Sequence, residues 1–382
     1  MKRNLKVMAI LSVFALVIAA CGGDGEGTET TVADTGAETT TTPPSEGFGC
    51  ELDEVDGDLN FYNWSEYIDP DLLTAFEDQY DVIVTETFYD SNEALLAALQ
   101  AGAVYDLIVP SDYMVAIMIE EEILGALEKD AIPNAANLDA QFVNLPFDPA
   151  SEYSVAYQWG TTGLGVNLSV VGEDYEPSWA LVFDPDLIAE YSGGVSLLND
   201  PRETMGAALK YLGYSLNDTD LDHLQEATDV IIAARDAIAT YDSDQYADLL
   251  VNGEVEVSHG FSGAYFSAFD EADDPDNWEY VIPEEGGTIW VDNIAVPAAA
   301  EHPCTAHTFI NFILDAENGA ALTNWVYYAS PNAAAEEFID PEILEDETIY
   351  PSDELRQRLE FIVDTGDYEI NFNDFFALAK SG

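Results

Sequence analysis

Basic residues are almost missing from this chain. Its 382 residues hold 10 Lys plus Arg against 75 Asp plus Glu, a formal charge of −65 and a pI near 4.1. Nucleic-acid binding needs Lys and Arg to neutralise phosphates, so that class of partner is excluded. Adsorption to anionic lipid through a basic patch is disfavoured on the same ground. Histidine (4) and cysteine (3) are scarce too, and His302, Cys304 and His307 are wrongly spaced for zinc on one helix face. The acidic DEADDPDNW at 270–278 lacks the Gly and closing Glu of an EF-hand loop. P-loop and dinucleotide fingerprints are absent, so no metal and no cofactor is expected. The apolar stretch 7–20 has 14 residues, too few to span ~30 Å of hydrocarbon as a helix. What the chain does have is 48% apolar and 12% aromatic residues, which excludes disorder. The length beyond residue 50 is too great for one core and natural for two lobes.

Residues 1–20 read as an export signal, with Lys2, Arg3 and Lys6 ahead of the apolar stretch. Ile18-Ala19-Ala20-Cys21 resembles a bacterial lipobox, so Cys21 is expected to be the lipidated first residue of the mature chain; ordinary signal cleavage is the alternative. Removing the signal leaves 75 acids against 7 bases, or −68. Residues 21–49, rich in Gly, Thr, Glu and Pro, read as a flexible tether because they can bury no apolar face. Lipid, tether and body together predict a protein held at the outer face of a cytoplasmic membrane. Cys50 and Cys304 are then the remaining cysteines in an oxidising compartment, which favours a disulfide over two separate buried thiols.

From residue 58, short apolar runs alternate with helical patterns, as in α/β folds with a parallel sheet. Strands are expected at LNFYNW (59–64), VIVTETFY (82–89), YDLIVP (105–110), LGVN (164–167), VEVSHG (255–260) and TIWVDNIAVP (288–297). Helices are expected at 71–79 behind an Asp69 cap and Pro70, at 92–100 behind an Asp90/Glu93 capping box, and at 113–124, 203–212, 221–240 and 305–314. Residues 133–157 read as irregular. Two α/β lobes facing each other across a cleft are the expected architecture, with a small ligand between them.

Several constellations lie at expected strand ends. NWSEY (63–67) sets Trp64 and Tyr67 beside Glu66; two aromatics there are core residues as readily as cage walls. PSDY (110–113) sits where ligands of open α/β sheets collect, although Ser111 and Asp112 equally suit helix capping. In NDPRE (199–203), Asp200, Pro201 and Glu203 make a capping box, the better reading from the residues alone. Trp290 and Asp292, two apart on one apolar strand, share a face. Ring face and carboxylate together are what an ammonium group needs, which makes this pair the most suggestive local feature. HGFSGA (259–264) nearly matches a nucleophile elbow, so a Ser262–Asp292–His307 triad of a secreted hydrolase is a second reading. Ala264 in place of the closing Gly, and the lack of an HGGG-type loop, count against it.

Taken in order, FYNWSEYIDPDLL, YDLIVPSDYMV, NLDAQFVNLPFDP, YSVAYQWGTTGLGVN, NDPRE, EEGGTIWVDNIAVP, TFINFILDAENGA and YYASPNAAA resemble the substrate-binding proteins of polyamine (spermidine/putrescine) ABC transporters, from about residue 59 to the C-terminus. The resemblance implies a periplasmic-binding-protein type II-like clamshell, with 55–160 and 293–335 as lobe one and 161–292 and 336–382 as lobe two. It implies a monomer that catalyses nothing, captures a polyamine and presents it to the permease subunits. By motif position the ligand would meet Trp64, Ser65, Glu66 and Tyr67, then Ser111 and Tyr113. Asp200 and Glu203 would hold one amine, and Trp290 and Asp292 the other end, with Phe261 and Tyr328 as aromatic wall. Two departures blur the choice of polyamine. Relatives often carry Trp and an acid where this chain has Phe261 and Ala264, and a spermidine binder would offer a polar side chain near Ile362. Another small solute on the same fold remains an alternative.

Overall fold

A computed structural model describes residues 47–191 and 194–381; the export signal, Cys21 and the tether as far as residue 46 lie outside the described residues. Nine strands form the sheet: β1 (Leu59–Trp64), β2 (Val84–Tyr89), β3 (Leu107–Ile108), β4 (Ser154–Asn167), β5 (Val195–Leu197), β6 (Ile238–Tyr241), β7 (Val257–Phe261), β8 (Trp278–Val281) and β9 (Thr288–Ala295). Their order is β2-β1-β3-β9-β4-β7-β5-β6, with β8 also on β4. The outer pairings at both ends, β2-β1-β3 and β7-β5-β6, are parallel. Antiparallel β4 and β9 join the two ends, paired from Ser154↔Ala295 to Thr162↔Thr288 with a register shift between Ala156 and Gln158. Every residue of both strands is buried.

Each end has its own core. Leu59, Phe61, Leu107, Val155, Ile294 and Phe309 belong to one, and Leu164, Val166, Trp179, Val195, Leu209, Val257 and Phe372 to another. The fold is therefore the expected two-lobed α/β clamshell, with β4 and β9 passing from lobe to lobe.

Local chemistry explains most helix starts. Asp69 accepts the Asp71 N–H and Pro70 opens the helix Pro70–Tyr80. Asp200 accepts the N–H groups of Arg202 and Glu203 at the head of Pro201–Tyr211. The expected capping box at 90–93 is corrected. Ser91, in extended conformation, caps Asn92–Gln100 by accepting the Ala94 N–H, and Asp90 instead accepts from Asn199 Nδ2 at 3.2 Å. Other boundaries move as well. The helix expected at 113–124 is Asp112–Glu120, and the one expected at 221–240 stops at Ala234 because β6 pairs with β5. β3 keeps only two residues of YDLIVP, and β4 begins at Ser154 inside the stretch read as irregular. The last three residues of the expected tether are part of the body, where Phe48 packs edge-on to His307 at 5.6 Å. No helix among the described residues is long and apolar enough to cross a membrane.

Cys50 and Cys304 form a disulfide with a sequence separation of 254. A cross-link over so long a loop restricts the unfolded chain strongly. Cys304→Ser is expected to lower the unfolding free energy by about 2–5 kcal/mol, read from urea titrations. A midpoint equal to that of the wild type would show that the bond is energetically silent.

Candidate functional site

The carboxyl end of β1 opens the cleft. Trp64 donates its Nε1–H to the Val109 carbonyl at 2.9 Å, and its ring lies 4.6 Å from Tyr89 and 6.2 Å from Phe261. Glu66 then turns the chain at φ +53°, a left-handed conformation that non-glycine residues adopt at a small energetic cost. The turn leaves the Glu66 carboxylate at the mouth and drives Tyr67 inward, against Tyr157 (5.5 Å) and Tyr328 (5.1 Å). Trp290 closes the wall, 5.2 Å from Tyr328 and 6.0 Å from Phe261. The residue opposite it on β4 must be small: a Cβ on Gly160 would sit 2.8 Å from the Trp290 ring.

Carboxylates line the floor. Asp292 accepts the Ser111 hydroxyl at 2.6 Å, and Ser111 in turn accepts from Asn92 Nδ2 at 3.0 Å. Ser111 makes no side-chain cap bond, so its hydroxyl serves Asp292 and not the helix end. The Tyr67 hydroxyl lies beside Asp292 but makes no hydrogen bond of ordinary geometry. Glu203 accepts from Thr162 (3.0 Å) and Thr288 (2.8 Å). It therefore faces the cleft and does not turn back to complete the capping box expected at 200–203. Tyr113 donates its hydroxyl to Glu93 at 3.0 Å.

Burial dominates the acidity of these groups, since a low-dielectric surrounding disfavours the charged form. It pushes Asp292 up to about 7, against the hydrogen bond from Ser111. Burial and the neighbouring Asp200 push Glu203 up to about 8. Asp200 itself is raised by burial, held back by the two N–H groups it caps. At the mouth, Glu66 is raised by partial burial and then by Asp248, Glu271 and Asp244.

All twelve residues named from the sequence line one cavity of about 240 Å³. Asp244, Asp248, Glu271, Tyr246 and Trp325, which the sequence does not single out, line it too, and so does Asp112, which PSDY left open between ligand and helix cap. Among the described residues, eight carboxylates face this space and no Lys, Arg or His does. Ala264 and Ile362, the two departures noted above, also border it. Among the described residues, no group of three or more His, Cys, Asp or Glu is placed to hold a metal ion.

The hydrolase constellation does not assemble. Asp292 bonds Ser111, while His307 directs Nδ1 to the Pro303 carbonyl (2.6 Å) and accepts the Glu128 N–H on Nε2 (2.9 Å). Ser262, 1% exposed, opens the helix Ser262–Glu271 with neither residue beside it among its hydrogen bonds.

Comparison with known proteins agrees with this geometry. Residues 71–351 match the bacterial extracellular solute-binding protein family. The spermidine/putrescine-binding periplasmic protein of Salmonella typhimurium is 35% identical over 326 residues, 85% of this chain and 92% of that protein. A putrescine/cadaverine-binding protein of Pseudomonas aeruginosa is 36% identical over 313 residues, 80% of this chain and 88% of its own. The solved structure of a spermidine/putrescine ABC transporter protein from Listeria monocytogenes superposes with a TM-score of 0.80 at 36% identity, covering 85% of this chain and 99% of that one. These relatives are solute-binding transport proteins. An aromatic, carboxylate-lined cleft between two lobes, matched along most of its length, places this chain in the bacterial extracellular solute-binding protein family.

Proposed function

We propose that this protein captures a polyamine, putrescine or spermidine, outside the cytoplasmic membrane and delivers it to the permease of an ABC importer. The observation that carries the proposal is the lining itself: eight carboxylates among aromatic rings with no basic side chain. Buried carboxylates without a counter-charge are unfavourable, and a compact di- or tri-cation supplies the missing charge while its methylenes lie against the rings. In this reading Asp200 and Glu203 hold one ammonium and Asp292, beside Trp290, the other. Trp64, Ser65, Glu66, Tyr67, Ser111, Tyr113, Phe261 and Tyr328 complete the enclosure. The lobes, 55–160 with 293–335 and 161–292 with 336–382, close on the ligand about β4 and β9. Cys21 carries the lipid that retains the protein at the membrane, and the protein works as a monomer that catalyses no reaction.

A thermal-shift screen of putrescine and spermidine against amino acids, sugars and metal ions tests this. A ligand at one hundred times its Kd stabilises the folded state by about 2.7 kcal/mol, a rise on the order of 5 °C. Putrescine or spermidine should give that rise, and no response to either would end the polyamine reading. One observation favours a second reading on the same fold. The cavity-lining Trp290 has its Nε1–H buried without a partner, and a solute carrying an acceptor, such as an amino acid, would satisfy it. The same screen separates the two.

A further inference from the structure

We propose that Asp112 is a further ligand-binding carboxylate, joined to Asp292 in a two-carboxylate receptor for one ammonium group. The inference rests on the polyamine reading of the cleft. β3 ends at Ile108, yet its side of β9 remains occupied. The Pro110 carbonyl accepts the Asn293 N–H at 2.9 Å. The next donor along that edge, the Val291 N–H, finds Asp112 Oδ2 at 3.2 Å in place of a backbone carbonyl. The other oxygen, Oδ1, accepts the Tyr113 N–H at 2.7 Å. Ser111 and Asp112 thus grip Asp292 and Val291 in turn, and both carboxylates reach the cavity.

A neutral amide oxygen would complete that ladder equally well, so hydrogen bonding to β9 does not account for a charge. Among the described residues, four ion pairs form, and none includes Asp112, Asp292, Asp200 or Glu203. The charged groups facing Asp112 are Asp292 on β9 and Arg202 at the head of Pro201–Tyr211. Arg202 is already committed to Glu369, the Val363 carbonyl and Asn217. The negative charge at this end is left for a ligand to balance.

Burial pushes the Asp112 carboxyl up to about 8 and that of Asp292 up to about 7. Near pH 7 the empty pair therefore retains a proton that the arriving ammonium displaces. The carboxylic acid gives its proton to the buffer and the carboxylate so formed accepts the ammonium N–H. Above pH 8 the proton is already gone and the release disappears.

Titration calorimetry with putrescine at pH 7, in phosphate and in Tris, counts the protons released from the difference between buffers. Asp112→Asn is expected to release about one proton fewer than wild type and to bind about tenfold more weakly. A purely structural Asp112 would alter thermal stability and leave proton release unchanged. If Asp112→Asn does not fold, Asp112→Ser, a smaller polar side chain without the charge, replaces it. Equal release and affinity in wild type and variant overturn the inference while leaving the polyamine reading intact, and so does wild-type release that persists undiminished at pH 9. Failure of wild type to bind putrescine or spermidine at all removes the reading on which the inference stands.

Discussion

Asp292→Asn is expected to weaken putrescine binding by about 2–5 kcal/mol, on the order of 30- to 4,000-fold in Kd. The side chain is 5% exposed and keeps its shape in the variant. What changes is charge: the ammonium loses its counter-ion, and an amide N–H2 can turn toward the Ser111 hydroxyl or the ligand where only acceptors stood. The unliganded protein should respond the opposite way. A folded-state pKa of about 7 against an ordinary 3.8 means that the native carboxyl holds a proton the unfolded chain has lost. Native stability contributed by this group therefore falls as pH rises from about 4 to 7 and is level above that. Asp292→Asn should remove this slope, leaving the empty variant at least as stable as wild type at pH 8 while abolishing the ligand-induced shift. Calorimetry at pH 8 and urea titrations at pH 5 and 8 read both effects. Wild-type affinity in the variant would remove Asp292 from the site.

The elements legible in the sequence were those with a local cause. β1 alternates buried and half-buried residues, and Pro70–Tyr80 follows an Asp-Pro cap, so both were placed nearly to the residue. β5, with three residues, and β8, with four, carry too little pattern to be seen. β4 was half missed for a different reason. Its buried Gln158, Thr161 and Thr162 break any apolar run, and each is satisfied only by a distant partner: Thr323, Tyr280 and Glu203. Tertiary hydrogen bonds make a fully buried strand out of a polar segment. The site divides in the same way. Trp290 and Asp292 stood out because an aromatic and an acid share one face of an apolar strand. Asp244, Asp248 and Glu271 did not, because 75 acids in 382 residues make any local cluster uninformative, while Asp112 in PSDY stayed even between ligand and helix cap. Glu203 was the instructive ambiguity. Its place at the third helical position suited a cap, and only the positions of Thr162 and Thr288 decide that its carboxylate turns to the cleft.

Arg202 shows how a cleft free of basic side chains is still tuned by one. It is 1% exposed and lies behind the wall. One guanidinium nitrogen donates to Glu369 (2.5 Å) and the Val363 carbonyl (3.1 Å), the other to Asn217 (2.9 Å). The group lies 4.3 Å over the Phe372 ring and 5.6 Å from that of Tyr113. It thereby ties the head of Pro201–Tyr211 to the C-terminal helix Glu369–Ser381. Its charge holds down the pKa values of Asp200, Glu203, Asp112 and Glu93 against burial. Arg202→Met keeps the stem and deletes the charge, stranding Glu369 and the carboxylates around it. Arg202 is buried but Glu369 is partly exposed, so losing these charged hydrogen bonds is expected to destabilise the fold by about 1.5–3 kcal/mol. The remaining carboxyls should rise further, so the pH at which putrescine binding reaches its plateau should move upward. Urea unfolding at pH 7 reads the first effect, and calorimetric affinity between pH 6 and 9 the second. A fold as stable as wild type would mean that the pair contributes nothing, and an unmoved pH profile would mean that Arg202 holds the helices together without setting the charge of the cleft.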